Sequence, residues 1–147
     1  MNPPLSYRQA AAHGASPLRL VLLLYDQAIA DLHSAVSALA RGDIEGRTRM
    51  IKHALMVIGC LQATLNKEQG GEVAENLDRF YQKLRAGLVQ AQFRQSTARL
   101  RRQIADLMKV REAWDHVDQL QTANFRQAAV GSENDGNSRQ AETEWRA

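Results

Sequence analysis

The side chains able to do chemistry in this chain are few and scattered. His13, His33, His53 and His116 fall in different segments, and Cys60 is the single cysteine. A carboxylate-bridged metal centre in a helical protein needs Glu-x-x-His on two helices and an inward glutamate on each of the others. Neither that pattern nor His-Glu-x-x-His occurs. Glu112 and His116 are four apart and share a helix face, but they flank Trp114 and Asp115 in a strongly charged turn, which reads as a surface pair. Gly70 and Gly71 are not followed by Gly-Lys-Ser/Thr and so do not build a phosphate loop. Cys60 sits among apolar helical residues with no base nearby in sequence, the setting of an inert buried thiol. No nucleophile elbow is present. The expectation is a protein without catalytic residues, metal or cofactor, and therefore not an enzyme.

What must position any site is an all-α framework. The chain has 147 residues, enough for one domain with a single core. Its three prolines all lie within the first seventeen residues and aromatics make up only 5%, which favours helix over sheet. The longest uncharged apolar run, Leu20 to Tyr25, is bounded by Arg19 and Asp26. It is far shorter than the roughly 20 residues of a spanning helix, so membrane insertion is not expected. The start, MNPPLSYRQ, lacks the basic and apolar regions of a secretory signal, and a cytoplasmic protein is expected.

Four long helices are predicted. Ser16 is a good N-cap with Pro17 at the first helical position, and Leu18, Leu22, Tyr25, Ile29, Leu32, Val36 and Leu39 form a stripe with steps of four and three. The stripe stops at Gly42, and Asp43 can cap the next helix, predicted from about Ile44 to Asn66 with Ile51, Leu55, Ile58, Leu61 and Leu65 inward. NKEQGGE breaks the pattern. A third helix carries Val73, Leu77, Phe80, Leu84, Leu88 and Ala91. After a cap at Ser96 or Thr97, the fourth carries Leu100, Ile104, Leu107, Val110, Trp114 and Val117 and fades near Gln121. Short turns between helices of similar length predict an antiparallel up-down-up-down four-helix bundle over 16–122. Residues 1–15 read as a short arm, with Leu5 and Tyr7 its only large apolar side chains. Residues 123–147 read as a disordered tail containing an isolated Trp145.

Apolar residues remain once these stripes are filled. Leu20, Val21, Leu23 and Leu24 lie off the first stripe, as do Met50, Val57 and Cys60 on the second and Tyr81 on the third. A broad core accounts for some of them. Leu20, Leu23 and Leu24 together suggest instead a surface strip suited to a helical or extended guest peptide. The alternative is a helical nucleic-acid-binding protein using Arg94, Arg99, Arg101 and Arg102. A net charge of +3 is weak support for it, and a solvated helix face is the plainer reading of those arginines.

The residues so assembled resemble the flagellar secretion chaperone family, FliS. SYRQAAAHGASPLRLVLLLYDQAI is similar to the family's first signature through Tyr7, Ala15, Ser16, Pro17, Leu20, Leu24, Tyr25, Asp26 and Ala28. LNKEQGGEVAENLDRFY resembles the second through Gly70, Gly71, Glu72, Ala74, Asn76, Leu77 and Tyr81, and REAWDHV looks like the end of the fourth helix. Gln27 departs from the usual glycine, Gly14 from a common threonine, and the arm has one tyrosine where relatives often have more. The resemblance implies a four-helix bundle that binds the disordered C-terminal segment of flagellin in the cytoplasm, one chaperone to one client. It thereby prevents premature polymerisation and hands the subunit to the type III export gate. On this reading Leu20, Leu23, Leu24, Val57 and Tyr81 belong to the client groove, and Leu5 and Tyr7 form a displaceable plug. The chain is expected to act as a monomer or weak homodimer.

Overall fold

A computed structural model of the chain describes the backbone over residues 3–145 and the side chains over 3–124 and 126–128. The described residues are all helical, with no strand: α1 (Leu5–Ala12), α2 (Pro17–Ala40), α3 (Ile44–Ala63), α4 (Lys67–Arg94) and α5 (Thr97–Trp145). The chain divides into two units, Met1–Glu112 and Ala113–Ala147. The first contains α1 to α4 and the opening turns of α5, and α2 to α5 make the expected four-helix bundle.

The helix boundaries follow local chemistry. Ser16 Oγ accepts the Arg19 N–H at 3.2 Å with Pro17 in the first turn. The Asp43 carboxylate accepts the Gly46 N–H at 2.9 Å, directly after Gly42 at φ 71° closes α2. Asn66 Oδ1 accepts from Gln69 N at 3.1 Å, and Ser96 Oγ from Arg99 N at 3.2 Å. The predicted break at Gly70-Gly71 is a kink inside α4: Gly71 sits at φ 51° and ψ −128°, a conformation that only glycine adopts without strain.

Cross-helix pairs fix the antiparallel order. Near the start of α3, Arg47 Nη2 donates to the Gln92 carbonyl at the end of α4 (3.1 Å). Near the end of α3, Gln62 donates to Asp78 (3.2 Å) and accepts from Arg85 (2.7 Å), both in the middle part of α4. The start of α5 meets the end of α4 where Arg99 donates to Gln90 (2.7 Å), and Arg111 reaches Asp26 on α2.

The core differs in phase from the large-apolar stripes. On α2 the buried set is Leu22, Leu24, Tyr25, Ala28, Asp31, Leu32, Ala35 and Ala38, whereas Leu18, Ile29, Val36 and Leu39 are half-buried. On α3 it includes Ile51, Ala54, Val57, Ile58, Gly59 and Leu61, and Leu55 and Leu65 move to its margin. On α4, Ala74 and Tyr81 replace Val73, Leu77 and Phe80. Alanines and glycine let the α2 and α3 backbones approach closely. The bulky neighbours are thereby displaced sideways.

The short N-terminal arm contains the helix α1 (Leu5–Ala12). The backbone of α5 runs on to Trp145, past the last position of its apolar stripe. Alanine, glutamine, glutamate and arginine are good helix formers, so the backbone ladder can outlast the apolar stripe. The Trp145 side chain, and most side chains of the 123–147 segment, lie outside the described residues.

Candidate functional site

The structure separates the five expected groove residues. Leu20 and Leu23 on α2 are half-exposed. Leu24 and Val57 are 0% exposed and Tyr81 1%. As surface groups these three are corrected: they sit in the core, because its centre lies one step away from the stripe of large side chains. Tyr81 is held there by its hydroxyl, 2.7 Å from the Tyr25 hydroxyl, with ring centroids 6.3 Å apart. Burial, reinforced by Tyr25, pushes the Tyr81 phenol well above its ordinary pKa, so it stays a neutral hydrogen-bonding group.

Leu24 nevertheless borders empty space. A cavity of about 330 Å³ lies between the N-terminal segment and the α2–α3 pair, lined by Pro3, Tyr7, Leu24, Gly59, Cys60, Ala63 and Thr64. Its walls are nearly all apolar or small, and it reaches solvent where Ala63 and Thr64 are exposed. Tyr7 lines this cavity. Leu5 does not line it and is 62% exposed, because it falls on the outer side of α1. Pro3 lines the cavity in its stead and Pro4 is buried. Sequence reasoning missed both prolines, although their adjacency marks a rigid, low-entropy approach to the bundle. It also missed Gly59, whose missing side chain leaves room beneath Tyr7. Cys60 is half-buried rather than fully buried, and desolvation raises its thiol pKa, the opposite of what a nucleophile needs.

A second concavity of about 800 Å³ runs between α4 and α5. Phe80, Leu84 and Val110 are among its apolar lining, and Lys83, Arg99, Arg102 and Lys109 among its polar lining. The basic cluster noted in the sequence is therefore divided: Arg99 and Arg102 face this groove, and Arg94 and Arg101 do not line it.

One buried polar group forms a cross-helix pair. Asp31, almost fully buried on α2, accepts from Gln27 at 2.9 Å and meets His53 Nδ1 of α3. Glu112 and His116 are each exposed. Among the described residues no group of three or more His, Cys, Asp or Glu side chains could hold a metal, and no helix is long and apolar enough to cross a membrane.

The described residues thus form a helical bundle with a small apolar cavity and, on α2, two half-exposed leucines. Comparison with known proteins gives the family to which this bundle belongs. The family model for flagellar protein FliS matches residues 1–121, and the chain belongs to that family of flagellar secretion chaperones. It is 36% identical over 109 residues to the flagellar secretion chaperone FliSB of Pseudomonas aeruginosa, covering 74% of this chain and 86% of the relative. Identity to the flagellar secretion chaperone FliS of Salmonella typhimurium is 31%, covering 74% and 82%. For that of Vibrio cholerae it is 30%, covering 70% and 76%.

Proposed function

We propose that the chain is a cytoplasmic export chaperone that binds the disordered C-terminal region of flagellin, prevents its premature polymerisation and assists its delivery to the flagellar type III export apparatus. It does so as a monomer or weak homodimer, without catalysis. The observation that supports this reading concerns Leu20, Leu23 and Leu24 on the first turns of α2. Two of these leucines are half-exposed, and the third borders an apolar cavity closed on one side by Pro3 and Tyr7. Each large apolar side chain of a guest buried there contributes roughly 1.5–3 kcal/mol. Several such contacts are needed to offset the ordering of a disordered client. The N-terminal segment acts as a displaceable plug through Tyr7 and Pro3, with Leu5 a weaker participant.

The test is co-expression with a flagellin C-terminal fragment followed by pull-down. The native chain retains the fragment. The double variant Leu20→Asp/Leu23→Asp loses it while keeping its helical circular dichroism and melting temperature. Retention of the fragment by a folded double variant would remove the α2 leucines from the site. Removing residues 1–12 should strengthen capture, because a plug that must be displaced lowers apparent affinity by the fraction of time it is seated.

A further inference from the structure

The α4–α5 groove lies apart from the residues assigned above to the client: its lining shares none with the cavity under Tyr7. Its α4 wall runs from Phe80 to Gln90, ten steps or about 15 Å of helix, close to three turns. Phe80, Leu84 and Val110 give it an apolar lining. Four cations, Lys83, Arg99, Arg102 and Lys109, stand around one carboxylate, Asp106. Arg99 is engaged by the neutral Gln90 side chain, and Lys83, Arg102 and Lys109 have no ion-pair partner among the described residues.

Gln103 adds an independent observation. It is only 8% exposed, lies in the groove lining, and its Oε1 has no hydrogen-bond partner. The side chain reaches that position because α4 has Gly87 opposite: a Cβ there would fall 2.1 Å from Gln103 Nε2. A buried acceptor without a donor is uncommon in a native interior.

We propose that this groove is a second docking site, for an acidic amphipathic helix of a partner protein. The apolar face of such a helix covers Phe80, Leu84 and Val110. Its carboxylates meet Lys83, Arg102 and Lys109. A nucleic acid fits less well, since Asp106 stands among the cations and the lining is apolar where phosphates would need donors.

Fluorescence anisotropy of the full chain with four labelled probes tests this. The first probe is a synthetic peptide of about 18 residues with leucines at helical i, i+3, i+4 spacing and glutamates elsewhere. The second has lysine for glutamate, the third serine for leucine, and the fourth is a short DNA duplex. The glutamate–leucine peptide should bind, and the lysine and serine versions should not. Arg102→Glu/Lys109→Glu, at two exposed positions, should weaken binding at least about tenfold. Arg102→Gln/Lys109→Gln should weaken it less and serves if the reversed pair melts early. Capture of the flagellin fragment by these variants should be unchanged. Equal binding of the lysine peptide, unchanged affinity in both variants, or tighter binding of DNA than of the acidic peptide would overturn the proposal. So would loss of flagellin capture in a folded variant, because the groove would then belong to the client site.

Discussion

The two helix seams of this bundle are built differently. On α2 and α3 the buried residues include Ala28, Ala35, Ala38, Ala54 and Gly59, small side chains that allow close backbone approach. On α4 and the first turns of α5 they include Leu84, Leu88, Leu100, Ile104 and Leu107, with Gln103 pressed on Gly87, and both helices line a groove of about 800 Å³. Small residues exclude space at the backbone and push bulk outward, as at Leu20 and Leu23. Large residues hold the helices apart and leave room between them. One bundle thus presents two kinds of surface, leucines displaced to the rim of a closed seam and a trough along an open one.

That contrast can be broken at defined points. Leu24→Asp places a carboxylate in a fully buried position of the closed side, and should cost about 3–5 kcal/mol in chemical unfolding. Its neighbour Leu23→Asp should stay within about 1 kcal/mol of the native chain. Equal effects would erase the distinction between core and rim on α2. Ala35→Leu overpacks the α2–α3 seam and should lower stability by about 1–3 kcal/mol, whereas the same exchange at the exposed Ala86, which borders the α4–α5 groove, should be nearly neutral by thermal melting. Tyr81→Phe removes one partner of the buried hydroxyl pair and should cost about 1 kcal/mol without touching flagellin capture. A loss of capture with unchanged stability would return Tyr81 to the site.

The smallest effect concerns Asp78, which links α4 to the end of α3. The Lys67 ammonium beside it, with donors from Gln62 and Gln82, holds its carboxyl below the usual aspartate range against some desolvation. A carboxyl depressed in the folded state contributes stability that is full above its unfolded pKa and is lost as pH falls through the folded value. Melting temperature should therefore decline a little less steeply on acidification below pH 4 in Asp78→Asn than in the native chain.

The parts of this molecule that can be read from sequence are those fixed by neighbours in the chain. Ser16, Asp43 and Ser96 each satisfy an N–H three residues on, so type and spacing alone disclose them. The order of the four bundle helices follows, whereas α1 and the cap at Asn66 do not. Core phase does not, because the residues that set it, Ala28, Ala35 and Ala38, carry little weight in a count of large apolar side chains. Leu24, Val57 and Tyr81 were misplaced for that reason. Buried polar residues were equally hidden: the partners of Asp31 and Arg47 include His53 and Gln92, 22 and 45 positions distant. Gln103 and Gly87 oppose each other only once α4 and α5 have packed.

The link between α1 and α2 is only His13 to Ser16. A segment leashed this tightly remains in the vicinity of its seat at an effective concentration of order millimolar. In the plug proposed above, even feeble adhesion of Pro3 and Tyr7 would then suffice to keep the cavity occupied, and a brief visitor touching one spot would not evict them. A long chain that first grips elsewhere on the bundle brings its own segment to comparable local abundance and can compete on equal terms. Discrimination against short peptides is thus a matter of leash length as much as of shape.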